Sequence, residues 1–337
     1  MKVCLFNSCR TWGGGEKWHL DAAMALAAPR FHVLAGVHPG SDLQKRLVDA
    51  GIESRAFTIG NLSLLNPVRL GQLYRWFRTE AVETVILNLP SDLKVAGVAA
   101  RLAGVPRIIY RRGSAIPVRN TLLNRWLFRH VVTDVIANSK ETKQTILARN
   151  SRLIDPSRIR VIYNGIDPAD YLTGPPTART GTVDDPLVLG TAGRLSRQKN
   201  QVFLLETLRR LQQRGLHCRL LIAGTGPLRT ELEEEARRLG VAASIEFLGF
   251  VEDMSGFLSQ IDVFLLSSLW EGFGYVLTEA MACARPIVAF DHSSNPEVVV
   301  QGETGLLTDP GDVEAFCDAV AHLASHPELR GQMGAAG

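Results

Sequence analysis

Two carboxylates eight positions apart frame the stretch of this sequence best equipped for chemistry, Glu271-Gly-Phe-Gly-Tyr275 followed by Glu279. Gly272 and Gly274 let the backbone come close to a ligand. A helix predicted over residues 275–283 would point its first amides outward, and the backbone of Phe273, Gly274 and Tyr275 would then suit a phosphate. Carboxylates serve a phosphate poorly but accept hydrogen bonds well from sugar and ribose hydroxyls. The same residues would also make an ordinary glycine-bearing loop whose first-turn Glu is stabilised by the helix dipole.

A second group lies upstream, Gly193-Arg194-Leu-Ser-Arg-Gln-Lys199-Asn200. Arg194 offers a planar donor fork and Lys199 a compact charge, the pair that a departing diphosphate would need. Arg197 reads as the solvated member. Gly224 belongs to a glycine loop, Ala223-Gly-Thr-Gly-Pro227, that lacks the full GxGxxG spacing and has no ribose-binding acid after it. That argues against a nicotinamide-binding domain. Phe250 or Val251, in Phe247–Met254, would border a nucleobase, whereas Glu231–Glu235 reads as a solvated helix face.

The elements that must hold these groups alternate along the chain. Short apolar runs at 2–7, 31–35, 85–89, 107–111, 135–138 and 160–163 predict strands. Between them, 16–28, 42–50, 93–102, 121–130 and 140–149 predict helices. The alternation resumes with strands at 187–191, 218–223, 245–248, 263–266 and 286–289 and helices at 200–214, 228–239, 275–283 and 312–324. Uniformly apolar strands separated by helices imply parallel sheets covered on both faces, which bind ligands beyond the strands' carboxyl ends. Leu172–Pro186, rich in Gly, Pro, Thr and Asp, reads as a linker. The expected domains are therefore 1–171, 172–186 as connection, and 187–337.

Bulk composition narrows the classes further. No run approaches the roughly 20 apolar residues of a membrane span, and the apolar start is too short for a secretion signal, so a buried first strand is expected. Five scattered cysteines without a CxxC pair suggest neither a disulfide framework nor a structural zinc, and point to a reducing cytoplasm. Residues 1–180 hold 25 Lys/Arg against 13 Asp/Glu, and the remainder 12 against 21, so the basic excess lies in the first half. An anionic membrane surface, an anionic acceptor or nucleic acid could answer it, as could a general arginine preference. Nucleic acid is disfavoured, because no recognition motif accompanies the arginines.

Taken in order, these segments resemble the retaining GT-B glycosyltransferases of glycosyltransferase family 4, over essentially the whole chain. The resemblance is carried by Gly13-Gly-Gly-Glu16, Gly193-Arg194 with Lys199-Asn200, Gly224-x-Gly226-Pro227 and Phe247-Leu-Gly-Phe250. It continues through Glu271-Gly-Phe-Gly-Tyr-Val-Leu-Thr-Glu279, Pro296-Glu297 and Gly302-x-x-Gly305. It implies an α/β GT-B fold, two Rossmann-like domains whose parallel sheets face a central cleft, with the acceptor-side domain first. It also implies no metal and no cofactor beyond a UDP- or GDP-sugar donor. Arg194 and Lys199 would hold its diphosphate, Glu271 the sugar and Glu279 the ribose, with Gly14 and Gly15 approaching from the other domain. Relatives normally carry a further helix after a segment like Leu329–Gly334 that crosses back to the first domain, and its absence is expected here.

One departure stands out. Where many relatives have a histidine that contacts the donor sugar, this chain reads Tyr110-Arg111-Arg112-Gly113. Arg112 would meet sugar, diphosphate or an anionic acceptor, but a guanidinium is a poor base. His19 reads as packed or solvated, and Asn88 and Asp92 as acceptor-side groups. The amphipathic segments Pro67–Arg78 and Arg119–His130 mix aromatics with arginines, which suits either a sheet-covering role or an anionic bilayer. The expected acceptor is a lipid-linked or lipopolysaccharide-type glycan, met by a cytoplasmic protein peripheral on the inner face of the cell membrane. A GT-B nucleotide-sugar epimerase and a donor-binding protein without turnover are the competing readings.

Overall fold

A computed structural model describes residues 1–27, 31–60, 62–171 and 185–337. It divides into two compact units, Met1–Asn164 and Gly165–Gly337. Most of the expected connection, 172–184, lies outside the described residues.

In the first unit seven strands form one parallel sheet. They are β1 (Lys2–Asn7), β2 (His32–Val37), β3 (Glu53–Ala56), β4 (Thr84–Leu87), β5 (Arg107–Arg112), β6 (Asp134–Ala137) and β7 (Ile159–Val161). Their order is β3-β2-β1-β4-β5-β6-β7. The second unit repeats the plan with β8 (Leu187–Ala192), β9 (Cys218–Ala223), β10 (Ile245–Gly249), β11 (Val263–Leu266), β12 (Ile287–Phe290) and β13 (Gly305–Thr308), ordered β10-β9-β8-β11-β12-β13. Each sheet reverses its winding beside its first strand, at β1/β4 and β8/β11, where open α/β sheets place ligands.

The central strands are apolar on both faces because helices cover both. Val263, Phe264, Leu265 and Leu266 are all buried, as are Thr84, Val85, Ile86 and Leu87. Losing a side chain such as Leu265 to Ala would cost about 2–5 kcal/mol. Local signals start the helices. Asn66 accepts from Val68 N and Arg69 N ahead of Pro67–Thr79, and Ser139 accepts from Thr142 N ahead of Lys140–Leu147.

Four features depart from the expectations. Strands β3 and β13 were not anticipated, because edge strands need not be apolar on both faces; Glu53 and Ala56 are exposed. The helical stretch expected from residue 93 begins at Pro90 and passes through a π-helical turn, Leu93–Gly97, which brings Asp92 into its first turn. Residues 165–171, assigned to the first half by sequence, belong to the second unit, where Ser255 Oγ donates to Tyr171 O at 2.9 Å. The segment that includes Leu329–Gly334, not read as helical from the sequence, forms the helix Pro327–Ala336 after Val313–Ser325, with Met333 buried and Gly334 close against Ala284.

Candidate functional site

The loops leaving the carboxyl ends of β8, β9, β11 and β12 interlock in the second unit. Gly193 and Gly224 both have positive φ, and a Cβ on Gly224 would lie 1.9 Å from Gly193 O. Only glycine lets these two backbones touch. Gly193 N donates to Ala223 O at 2.9 Å and Leu195 N to Thr225 O at 2.9 Å, so the glycine loop after β9 buttresses the loop that carries Arg194.

From that buttress the chain delivers Lys199 to Glu271. Lys199 Nζ donates to Glu271 Oε1 at 2.5 Å, with both side chains largely buried. Several bonds fix the backbone on either side. Ser267 Oγ donates to Asn200 O at 2.9 Å, Gln198 Nε2 to Trp270 O at 2.8 Å, and Leu269 N to Gln198 O at 2.8 Å. After β12, Ser293 Oγ donates to Glu271 O at 2.7 Å and accepts from Glu271 N at 3.1 Å, while Ser294 Oγ donates to the same carbonyl. Ser293 and Ser294 escaped the sequence reading; their signal is a Ser-Ser-Asn-Pro turn shortly after a strand.

Arg194 is exposed on the same loop and makes no ion pair among the described residues. Glu271, Gly272, Phe273 and Gly274 are buried, and Gly274 takes a left-handed conformation (φ 81°) to start the helix Tyr275–Ala282, which no side chain caps. The Phe273 and Tyr275 rings meet edge to face at 6.0 Å. Glu279, on that helix, is buried and accepts from Tyr171 Oη at 2.9 Å, a partner the sequence did not reveal. Phe250 is exposed and Val251 half-buried just past Gly249, whose carbonyl accepts from Gly224 N at 2.6 Å. The structure thus bonds Lys199 to Glu271 directly, ties Gly224 to both flanking loops, and gives Glu279 a separate partner.

The first unit gathers a buried polar cluster at the carboxyl ends of β1, β4 and β5. Asn7 Nδ2 donates to Glu16 Oε1 at 2.9 Å. Asp92 accepts from Leu89 N at 3.0 Å, from Ser8 N at 3.3 Å and closely from Ser8 Oγ. Burial pushes its carboxyl up to about 7 against the pull of these donors. Burial also raises Glu16, partly offset by its Asn7 hydrogen bond and by the nearby Arg111 charge. His19 is buried, its Nδ1 3.0 Å from Gly15 O, and burial with the Arg111 charge lowers it to about 3. It is therefore neutral and packed near pH 7, as the sequence reading favours. Gly14 opens the helix Gly14–Leu26, and a Cβ on Gly15 would sit 3.0 Å from Asn88 Nδ2.

The two consecutive arginines separate by strand alternation. Arg112, picked out from the sequence, donates to Tyr110 Oη at 3.3 Å and to Ile116 O at 2.6 Å. Arg111, not picked out, is the buried one. It donates to Asn88 Oδ1 at 3.2 Å and Asn164 Oδ1 at 3.1 Å, with its guanidinium 4.8 Å from the Trp18 ring centre. Asn164 is a partner that the sequence did not reveal. Among the described residues no group of three or more His, Cys, Asp or Glu is placed to hold a metal ion.

Comparison with known proteins meets this geometry from both ends of the chain. Residues 12–170 match the family model Glycosyltransferase Family 4, and residues 186–326 match Glycosyl transferases group 1. The GDP-mannose-dependent alpha-(1-6)-phosphatidylinositol monomannoside mannosyltransferase of Mycolicibacterium smegmatis is 31% identical over 299 residues, spanning 82% of this chain and 76% of that protein. This chain belongs to the family 4 glycosyltransferases. The lipopolysaccharide core biosynthesis glycosyltransferase LpsE of Rhizobium meliloti is 28% identical over 98% of this chain and 91% of its own length. The chain spans 64% of the length of EpsF of Bacillus subtilis, a relative 30% identical, and 40% of the alpha-D-kanosaminyltransferase of Streptomyces kanamyceticus. Among solved structures, Anabaena HepE in complex with UDP and glucose superposes with a TM-score of 0.86 at 22% identity, over 100% of this chain and 93% of that one. That likeness establishes the GT-B fold of two Rossmann-like domains for this family 4 chain.

Proposed function

We propose that this protein is a retaining, metal-independent glycosyltransferase that moves a sugar from a UDP- or GDP-sugar onto a lipid-linked or lipopolysaccharide-type glycan. The observation that carries the reading is the Lys199–Glu271 pair, held at the carboxyl ends of β8 and β11 on the loop that also exposes Arg194. Lys199 brings positive charge, Glu271 a hydroxyl acceptor, and Arg194 a second cation without a carboxylate among the described residues. A sugar diphosphate needs these three functions together.

In this reading Arg194 and Lys199 neutralise the diphosphate, with help from the backbone around Gly272–Tyr275. Glu271 takes hydroxyls of the transferred sugar, Glu279 those of the ribose, and Phe250 with Val251 borders the base. The bond between the sugar's anomeric carbon and the phosphate oxygen breaks, and the nucleoside diphosphate leaves with the electron pair. The acceptor hydroxyl bonds to the same face of that carbon and gives its proton to the departing phosphate. No general base from the protein is needed. Gly14, Gly15 and the Glu16–Arg111 cluster, with Arg112 alongside, serve the sugar and acceptor side.

The acceptor class is supported by relatives named for phosphatidylinositol monomannoside, lipopolysaccharide core and a diphosphoundecaprenol-linked sugar. It also accords with the basic first half and with Leu122 and Trp126, exposed among Arg125 and Arg129 on the helix Leu122–His130. Among the described residues no helix is long and apolar enough to cross a membrane. A peripheral position on the cytoplasmic face of the cell membrane follows from the reading. To test it, nucleotide-sugars are screened for thermal stabilisation, which reports preferential binding to the folded state. The best donor is then incubated with lipid-linked acceptors and nucleoside diphosphate release is measured. Stabilisation without release would leave a binding protein, and a converted nucleotide-sugar formed without acceptor would leave an epimerase.

A further inference from the structure

The first unit contains a second basic site. A cavity of about 540 Å³ is lined by Asn120, Arg125, Arg129, Asn150, Arg152 and Arg158, with Asp155 as its one carboxylate. Its floor is apolar, formed by buried Phe128, Leu153 and Ile154. Arg129 lies in the last turn of the helix that leads into β6, and Arg158 immediately precedes β7. The cavity therefore belongs to the amino ends of these strands, whereas Arg111 lies near the carboxyl end of β5 and Asn88 and Asn164 follow those of β4 and β7.

The lining is partly pre-set. Asn120 Oδ1 accepts from both Arg125 Nε at 2.8 Å and Asn150 Nδ2 at 3.0 Å. Arg158 Nε donates to Thr133 O at 2.7 Å, and its Nη2 donates to Val132 O. Two guanidiniums are thus fixed by the fold. Arg129 and Arg152 are exposed at the rim and make no ion pair among the described residues. Asp155 is occupied locally, accepting from Ser157 N at 2.9 Å. Four guanidiniums against one carboxylate, over an apolar floor, give the cavity a positive balance suited to an anion. Beside it Leu122 is 81% exposed and Trp126 45% exposed.

We infer that this cavity binds a phosphate group, presented by the headgroup of an anionic lipid while Leu122 and Trp126 enter the interface. Guanidinium forks match phosphate oxygens, and an amphipathic aromatic suits the headgroup layer. The inference deepens the membrane-surface part of the proposed function and rests on it for the source of the phosphate. Donor binding by the second unit does not enter.

The full chain is compared with R129Q/R152Q, two exposed substitutions, and with R75Q/R78Q, which removes equal charge from the helix Pro67–Thr79. Each is tested for retention on phosphatidylglycerol/phosphatidylcholine vesicles and for binding of inorganic pyrophosphate by calorimetry. The expected result is vesicle affinity about 30-fold weaker in R129Q/R152Q, little changed in R75Q/R78Q, with a matching loss of one pyrophosphate site. Pyrophosphate binding that needs Arg129 and Arg152, without vesicle retention, keeps the phosphate site and moves its source to a soluble anion. Vesicle retention equal in wild type and R129Q/R152Q leaves the membrane reading standing and overturns this site if pyrophosphate binding is also unchanged. Equal losses in both double variants, or no binding of either probe, overturn it as well.

Discussion

Lys199 and Glu271, 72 positions apart, share a hydrogen-bonded ion pair of 2.5 Å whose side chains are 15% and 8% exposed. Removing one partner from such a pair strands the other charge, whereas removing both need not destabilise. Lys199→Met is therefore expected to destabilise the second unit by about 3 kcal/mol and to abolish transfer. Lys199→Met combined with Glu271→Gln should recover most of the stability and none of the activity. Urea unfolding and nucleoside diphosphate release, measured on the same samples, separate the two effects. A double variant as unstable as the single one would remove the ion pair from the account.

Tyr171 Oη donates to the buried carboxylate of Glu279 at 2.9 Å. A hydrogen bond to a charged acceptor contributes about 1.5–3 kcal/mol, so Tyr171→Phe should lower stability by an amount in that range. If Glu279 receives ribose hydroxyls, Glu279→Gln raises KM for the nucleotide-sugar at least tenfold with a smaller change in kcat, an effect of about 1.4 kcal/mol or more. Tyr171→Phe should shift KM in the same direction by less. Steady-state kinetics with varied donor decide it, and an unchanged donor KM in Glu279→Gln would remove the ribose role.

These pairs mark the limit of what residue order could tell. Val263–Leu266 was legible to the residue, because a strand buried on both faces is apolar throughout, and so was Cys218–Ala223, where Arg219 is the one charged residue. Glu53-Ser-Arg-Ala56 was not, since an edge strand is free of that demand. Lys199 and Glu271 were legible as chemistry from their loops, and Glu279 from the helix that follows. Tyr171 against Glu279, and Ser293 against Glu271, were not, because those partners come from separate segments that only the fold brings together. Arg111 and Arg112 pose the sharpest case. Two identical neighbours look alike in sequence, and only the alternation of β5 sends Arg111 to Asn88 and Arg112 to Ile116.

That alternation makes a prediction of its own. Arg111 reaches two amide oxygens with separate nitrogens of one planar fork, a geometry that an ammonium cannot reproduce. Arg111→Lys is expected to cost about tenfold or more in kcat/KM, roughly 1.4 kcal/mol, even if the variant stays folded. Arg112→Lys should cost less, since Arg112 binds a tyrosine hydroxyl and one backbone carbonyl. Comparing kcat/KM of the two variants, with melting temperatures as control, ranks them. A larger loss at Arg112 would return the sugar contact to the position singled out in the sequence.

Gly224 tests the loop buttress. Its φ of 134° and the 1.9 Å approach of Gly193 O leave no room for a Cβ. Gly224→Ala is expected to destabilise by more than about 3 kcal/mol, well beyond the roughly 1 kcal/mol of an ordinary positive-φ glycine. Gly240→Ala supplies that reference, because Gly240 has a φ of 75° and nothing within 4 Å of where its methyl would stand. Thermal unfolding of both variants, with and without nucleotide-sugar, gives the comparison. Equal losses would mean that the loops separate at little cost.

Asp92 gives the pH dependence its sign. Its carboxyl lies near 7 in the folded protein, against an ordinary value of 3.8. Between those values the folded state holds more protons than the unfolded one, so this group's contribution to stability is full below about pH 4 and is lost as pH rises towards 7. His19, lowered to about 3, works the other way, and its contribution fades as pH falls from 6.5. Asp92→Asn removes only the first effect. The difference in unfolding free energy, variant minus wild type, should therefore rise between about pH 4 and 7 by at most about 4 kcal/mol and stay level above. Urea titrations at unit pH intervals measure that difference. A flat line would mean that the donors from Ser8 and Leu89 keep Asp92 ionised throughout.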